Sequence, residues 1–191
     1  MIIRSPRQVV LFSLSLLLSS FGVLADSIKL NQPLPHIQIT DKGELMINQK
    51  NKFNYQNWNS DQLLGKTHTI QHIAGRSSAK ELNAPLIDAI KTAKFAPEHY
   101  QTTTIVNTDE AIFGTARFVR SSLEDSKKEF PYSQFIVDSQ GQAKTAWQLA
   151  DKTSAILVIN KLGQVIWFKQ GALTPDEVNN VIGLIESQLT Q

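Results

Sequence analysis

The sequence predicts an α/β fold in three layers: a central mixed sheet with an N-terminal hairpin, and a C-terminal antiparallel hairpin followed by a helix. Three observations predict it. Between residues 67 and 137, segments of strand character alternate with segments of helical period, the pattern of parallel strands joined by helices. Residues 155–159 form a continuous apolar run, as expected of a strand buried on both faces. Asn160-Lys161-Leu162-Gly163 then turns that run into residues 164–169, an antiparallel partner.

The elements follow in order. Pro33 and Pro35 favour an extended approach to Ile37-Gln38-Ile39-Thr40. Asp41-Lys42-Gly43 supplies turn residues and Glu44-Leu45-Met46-Ile47 follows, a hairpin signal. Residues 58–65 read as one helical turn, started by the Asn59 cap and closed by Gly65. Residues 67–73 are rich in β-branched side chains and predict a strand. After the break at Ala74-Gly75-Arg76, Ser78 and Glu81 fit a capping box. Leu82, Leu86, Ala89, Ile90 and Ala93 recur at helical spacing, with Pro85 either kinking the helix or opening a second segment. Residues 100–106 predict a strand that ends at Asn107-Thr108-Asp109-Glu110. Residues 115–128 predict a helix, 133–137 a short strand, and 138–141 a turn. The last helix has Thr174 as cap, Pro175 at its first position and Glu177 completing a capping box. Val178, Val181, Ile182, Ile185 and Leu189 form its apolar stripe.

The chain has 191 residues, 41% of them hydrophobic, which suits one folded domain rather than a disordered chain. It contains no cysteine, which excludes disulfides, thiolate metal sites, thiol nucleophiles and a lipid-modified N-terminal cysteine. Residues 1–25 read as a secretory signal: Arg4 and Arg7 lie before an apolar stretch, and Val23-Leu24-Ala25 places small residues at a cleavage site after Ala25. A membrane anchor is the competing reading, but the stretch is short for a span and holds Gln8, four serines and Gly22. Residues 26–191 are then a single exported, periplasmic domain. Arg4 and Arg7 account for two of the 19 basic residues, and the remaining 17 balance the 17 acidic ones. A formally neutral domain without a basic run is not expected to bind nucleic acid, nor a membrane once the signal is removed.

The strings Leu34-Pro35, Ile39-Thr40-Asp41-Lys42-Gly43, Leu64-Gly65-Lys66 and, near the end, Ile159-Asn160-Lys161-Leu162-Gly163-Gln164-Val165 resemble the thioredoxin-like superfamily in its peroxiredoxin and TlpA-like branch. Four longer strings are similar to the YtfJ family of bacterial periplasmic proteins: Gln71-His72-Ile73-Ala74-Gly75-Arg76, residues 101–109, Phe118-Val119-Arg120-Ser121-Ser122-Leu123-Glu124 and residues 133–139. The resemblance implies a thioredoxin-like fold and an exported location, and carries no activity with it. It also implies where a redox site would lie. The reactive cysteine of the superfamily sits where the first central strand meets the first central helix, here Ala74-Gly75-Arg76-Ser77-Ser78-Ala79. A cis-proline precedes the strand at 155–159, where this chain has Ser154. Both parts are replaced, and a hydroxyl cannot stand in for a thiolate in disulfide exchange.

Candidate chemistry therefore gathers at one sheet edge, where open α/β sheets place ligands. Segments 74–78, 107–110 and 151–154 are expected to converge there. Gly75, Arg76, Ser77 and Ser78 offer backbone amides, hydroxyls and a guanidinium suited to an anion, with Asp109 and Ser154 beside them. Arg76 could instead pair with Asp109 or Glu110. A periplasmic protein or a small anionic ligand is the partner this edge suggests, and no cofactor is expected. The enzymatic alternative is a hydrolase using Ser77 or Ser78 with Arg76 and Asp109, which requires a base within hydrogen-bond reach of a hydroxyl. His68 and His72 lie four apart on a strand, about 13 Å between Cα atoms, too far for one metal ion. There is no phosphate-binding loop and no dinucleotide fingerprint.

Overall fold

A computed structural model describes residues 27–190; the proposed signal segment lies outside the described residues. The strands are β1 (Gln38–Ile47), β2 (Phe53–Asn59), β3 (Thr67–Ala74), β4 (Tyr100–Asn107), β5 (Gln134–Asp138), β6 (Ser154–Ile159) and β7 (Val165–Gln170). The helices are α1 (Ser77–Glu81), α2 (Ala84–Ala93), α3 (Ala116–Glu129), α4 (Gln142–Trp147) and α5 (Pro175–Leu189). The strands form one seven-stranded sheet in the order β2-β1-β5-β4-β3-β6-β7. β3, β4 and β5 run parallel, while β1 and β6 join them antiparallel. This is the three-layer mixed α/β architecture expected.

Alternation along the strands sorts the core into two sides. Ile70, Ile105, Ile136, Ala155 and Leu157 face the layer holding Trp58, Leu63 and the α4 residue Trp147. Ile73, Val106, Phe135 and Val137 face α1 and α3, while Ile156 and Val158 face α2 and α5. The side chains of Trp58 and Trp147 are fully buried, and Trp147 Nε1 donates to the Pro35 carbonyl at 2.9 Å, pinning the N-terminal segment.

Three local expectations are corrected. Asp41-Lys42-Gly43 does not turn the chain; β1 runs straight through it with an irregularity between Ile39 and Glu44 and pairs with β2 instead. Gly43 lies at φ +79°, and a Cβ there would sit 2.1 Å from the Gln56 carbonyl oxygen. Only glycine fits that bulge. The Ser78–Glu81 capping box does not form: α1 begins at Ser77, with Arg76 as its cap and no side-chain bond to its amides. The chain turns into the helix early because the Arg76 amide closes on the Ala74 carbonyl at 2.6 Å. Where a turn alone is expected at 138–141, the buried Asp138 accepts from the amides of Gln142 (3.0 Å) and Ala143 (2.9 Å) and so starts α4. Pro85 takes the second of its two options, in the first turn of α2. The Thr174–Glu177 capping box of α5 is present.

Candidate functional site at the β3–α1 edge

The C-terminal ends of β3 and β4 and the segment before β6 do converge. The Gly75 amide donates to the Asn107 carbonyl at 2.8 Å, and the Ala74 amide to the Thr153 carbonyl at 3.1 Å. A Cβ on Gly75 would lie 3.0 Å from both the Asn107 oxygen and the Ala111 Cβ, so a larger residue at this crossing would push its neighbours back by a few tenths of an ångström. With the Arg76 amide closed on the Ala74 carbonyl, the amides of Ala74, Gly75 and Arg76 are all consumed. α1 has only five residues, so its backbone offers an anion little. What the edge retains for a ligand is side-chain charge.

Arg76 is half-buried and donates through Nε (3.2 Å) and Nη2 (2.7 Å) to the Glu110 carbonyl. It forms no ion pair with Asp109, which is exposed, nor with any other carboxylate among the described residues. Glu110 is the hub that the residue pattern left unranked. Its carboxylate accepts from Asn107 Nδ2 at 3.1 Å, Lys144 Nζ at 3.4 Å and the Lys152 amide at 2.7 Å. Lys144 also reaches Asp151 at 2.5 Å; that contact raises the ammonium pKa and lowers that of the carboxylate. Two segments distant in sequence, at Lys144 and Lys152, are thus fastened to one carboxylate. Only the position of Glu110 after a strand end hinted at this.

Ser77 and Ser78 are exposed, and neither hydroxyl has a hydrogen-bond partner among the described residues. His72 is buried on the strand before them, facing the α4 side, and burial lowers its pKa to about 4. Ser154 is buried behind the edge. Its hydroxyl donates to Asn83 Oδ1 at 2.8 Å, Asn83 Nδ2 to Gln71 Oε1 at 3.4 Å, and Gln71 Nε2 to Thr104 Oγ1 at 2.8 Å. This buried chain spends the Asn83 side chain, which does not cap α2. Among the described residues no three His, Asp or Glu side chains gather as a metal site.

Beside Arg76 a cleft of about 1050 Å³ opens between α1–α2 and α3. Ile73, Val106 and Phe135 of the sheet floor it, and Ile87 and Val119 flank it. Composition and periodicity could not show it, because its walls come from helices far apart in sequence.

A mixed sheet of this order, with helices on both faces and its loops gathered at the end of β3, is a thioredoxin-like fold. Solved structures agree. The putative thiol:disulfide interchange protein DsbE of Chlorobium tepidum superposes with a TM-score of 0.56 at 11% identity, covering 85% of this chain and 99% of that one. A putative protein disulfide isomerase of Bacteroides thetaiotaomicron gives 0.58 at 17% identity, covering 86% and 92%. At such identities the likeness is one of fold. The chain belongs to the family of bacterial proteins of unknown function YtfJ_HI0045, whose model matches residues 28–188. It is 54% identical over 179 residues to the uncharacterized protein YtfJ of Escherichia coli K12, covering 94% of this chain and 97% of that protein. It is 38% identical to an uncharacterized Haemophilus influenzae protein, covering 94% and 96%.

Proposed function

We propose that this chain is an exported, periplasmic, non-catalytic binding protein. It takes a periplasmic protein or a small anionic ligand at the edge around Gly75, Arg76, Ser77 and Ser78, with Asp109 on the rim and Ser154 supporting from behind. The observation that carries this reading is Arg76: a guanidinium without a carboxylate partner, held in place by a backbone carbonyl at the mouth of a cleft. A cation fixed but not neutralised suits recognition of an anion. Absence of cysteine removes thiol exchange from the available chemistry. A hydrolase reading finds no base in place, because among the described residues neither serine hydroxyl hydrogen-bonds a histidine or carboxylate. The two arginines followed by an apolar stretch in residues 1–25 support export.

Affinity capture from periplasmic extract, comparing the protein with Arg76→Ala, tests the edge. Loss of a specific bound species is expected; an unchanged set of bound species overturns this placement. Export is tested separately by the mass of the protein recovered from periplasm, expected to begin at Asp26. A mass still containing residues 1–25 overturns the cleavage.

A further inference from the structure

The cleft beside Arg76 has apolar side chains on its floor and a net positive charge at one end. Ile73, Val106 and Phe135 line the floor together with Gln71 and Thr104, whose side chains hydrogen-bond each other at 2.8 Å, and Ile112 and Phe118 stand exposed at its lip. Its six charged residues are not evenly spread. Asp88, Lys91, Lys94 and Glu129 lie toward the far end and balance one another, with Asp88 and Lys91 3.9 Å apart. Arg76 and Lys80 stand at the near end with no acid among the lining residues there. Apolar space of this size with a few convergent polar groups is the usual form of a small-molecule site.

The shape selects among apolar occupants. Lys80 Nζ donates to Ser122 Oγ at 3.2 Å, joining α1 to α3 across the cleft. Lys91 Nζ lies 4.8 Å from the centre of the Phe130 ring, joining α2 to the end of α3. A peptide helix, roughly 10 Å across, could not lie in the cleft with both bridges in place, whereas a single hydrocarbon chain can run beneath them. A peptide strand has nothing to pair with either. The floor strands β3, β4 and β5 are interior to the sheet and hydrogen-bonded on both sides, so strand addition is closed.

The geometry points to a long-chain carboxylate as the ligand, its chain along the floor between α2 and α3 and its head between Arg76 and Lys80. This inference rests on the reading of the Arg76 edge as an anion site and names the ligand class for it. Burial of the chain supplies affinity through apolar area, and the two cations fix which end of the chain faces the edge.

The test is calorimetric titration of the purified protein with palmitate below its aggregation concentration, with butyrate and 1-hexadecanol as controls. Palmitate is expected to bind, butyrate not measurably, and hexadecanol at least roughly tenfold more weakly, the loss of the charge-assisted contacts to Arg76 and Lys80. Arg76→Gln with Lys80→Gln should bring palmitate down to the hexadecanol value while leaving hexadecanol unchanged. Val119→Trp, filling the cleft from α3, should abolish both, with circular dichroism confirming the fold; Leu162→Ala, exposed in the turn between β6 and β7 and outside the cleft, should bind as the parent does. No palmitate binding, or equal binding by Val119→Trp, overturns the inference. An amphipathic peptide that binds and is blocked by Val119→Trp, where palmitate is not bound, overturns it in favour of a peptide groove. Failure of palmitate alone leaves the edge reading standing if Arg76→Ala still changes what is captured from extract; that reading falls only when the capture is unchanged.

Discussion

Ser154 and Asn83, 71 positions apart, share a buried hydrogen bond of 2.8 Å directly behind the β3–α1 edge. The bond joins the first residue of β6 to the junction between α1 and α2. A polar lock thus occupies the back of the edge. Ser154→Ala would leave the Asn83 oxygen buried without a donor. That costs about 1–3 kcal/mol, read as a lower urea midpoint at unchanged slope. No shift in the midpoint would mean the network carries no stability.

Arg76 fastens the 108–110 turn to the edge. Arg76→Ala should raise amide exchange at Ala111 and Ile112 and cost roughly 1 kcal/mol. Arg76→Lys should restore the charge but not the paired contact, so exchange stays elevated while an anionic ligand is partly retained. Exchange rates identical to those of the parent in both variants would contradict the role given to Arg76.

Gly75 packs so closely against Asn107 and Ala111 that a Cβ would force them to give. Gly75→Ala should cost about 1–3 kcal/mol and lower the melting temperature, whereas Gly183→Ala, in α5 with open space around it and no positive φ, should change it little or raise it. Equal effects of the two substitutions would refute the close-approach explanation.

His68 and His72 are both held neutral by burial, with pKa values lowered from 6.5 to about 4. The unfolded chain protonates them near pH 6.5 and the folded chain does not, so their contribution to stability is complete above pH 6.5. It is lost as pH falls toward 4, at about 1.4 kcal/mol per pH unit for each histidine. His72 Nε2 is buried without a hydrogen bond, so His72→Leu should remove one histidine's share of this slope. Denaturation at pH 7, 6 and 5 checks it; an unchanged slope in His72→Leu would contradict the assignment.

Strongly patterned elements were legible in the residues. The apolar run at 155–159, the Thr174–Glu177 capping box and the β-branched strand after Thr67 each agree locally with the fold they join. β2 was not legible, because Asn54, Gln56 and Asn57 lie on an exposed edge strand where polar residues carry no burial pattern. α4 is too short to show a period. It is specified by Asp138, whose acceptor role appears only once the chain has folded back. At the site, the convergence of three segments followed from strand order, but the choice of Glu110 over Asp109 depends on which way one turn presents its side chains. The cleft is a property of helix spacing, which no single segment encodes.

The central claim is that binding occurs at the Arg76 end of the cleft, and amide chemical shifts of ¹⁵N-labelled protein during palmitate addition test it most directly. Saturable shifts are expected at Arg76, Lys80, Val106, Val119 and Phe135, and not at Trp58 or Trp147 on the opposite face of the sheet. Shifts centred on the Trp58–Trp147 side, or none at saturating palmitate, would contradict it.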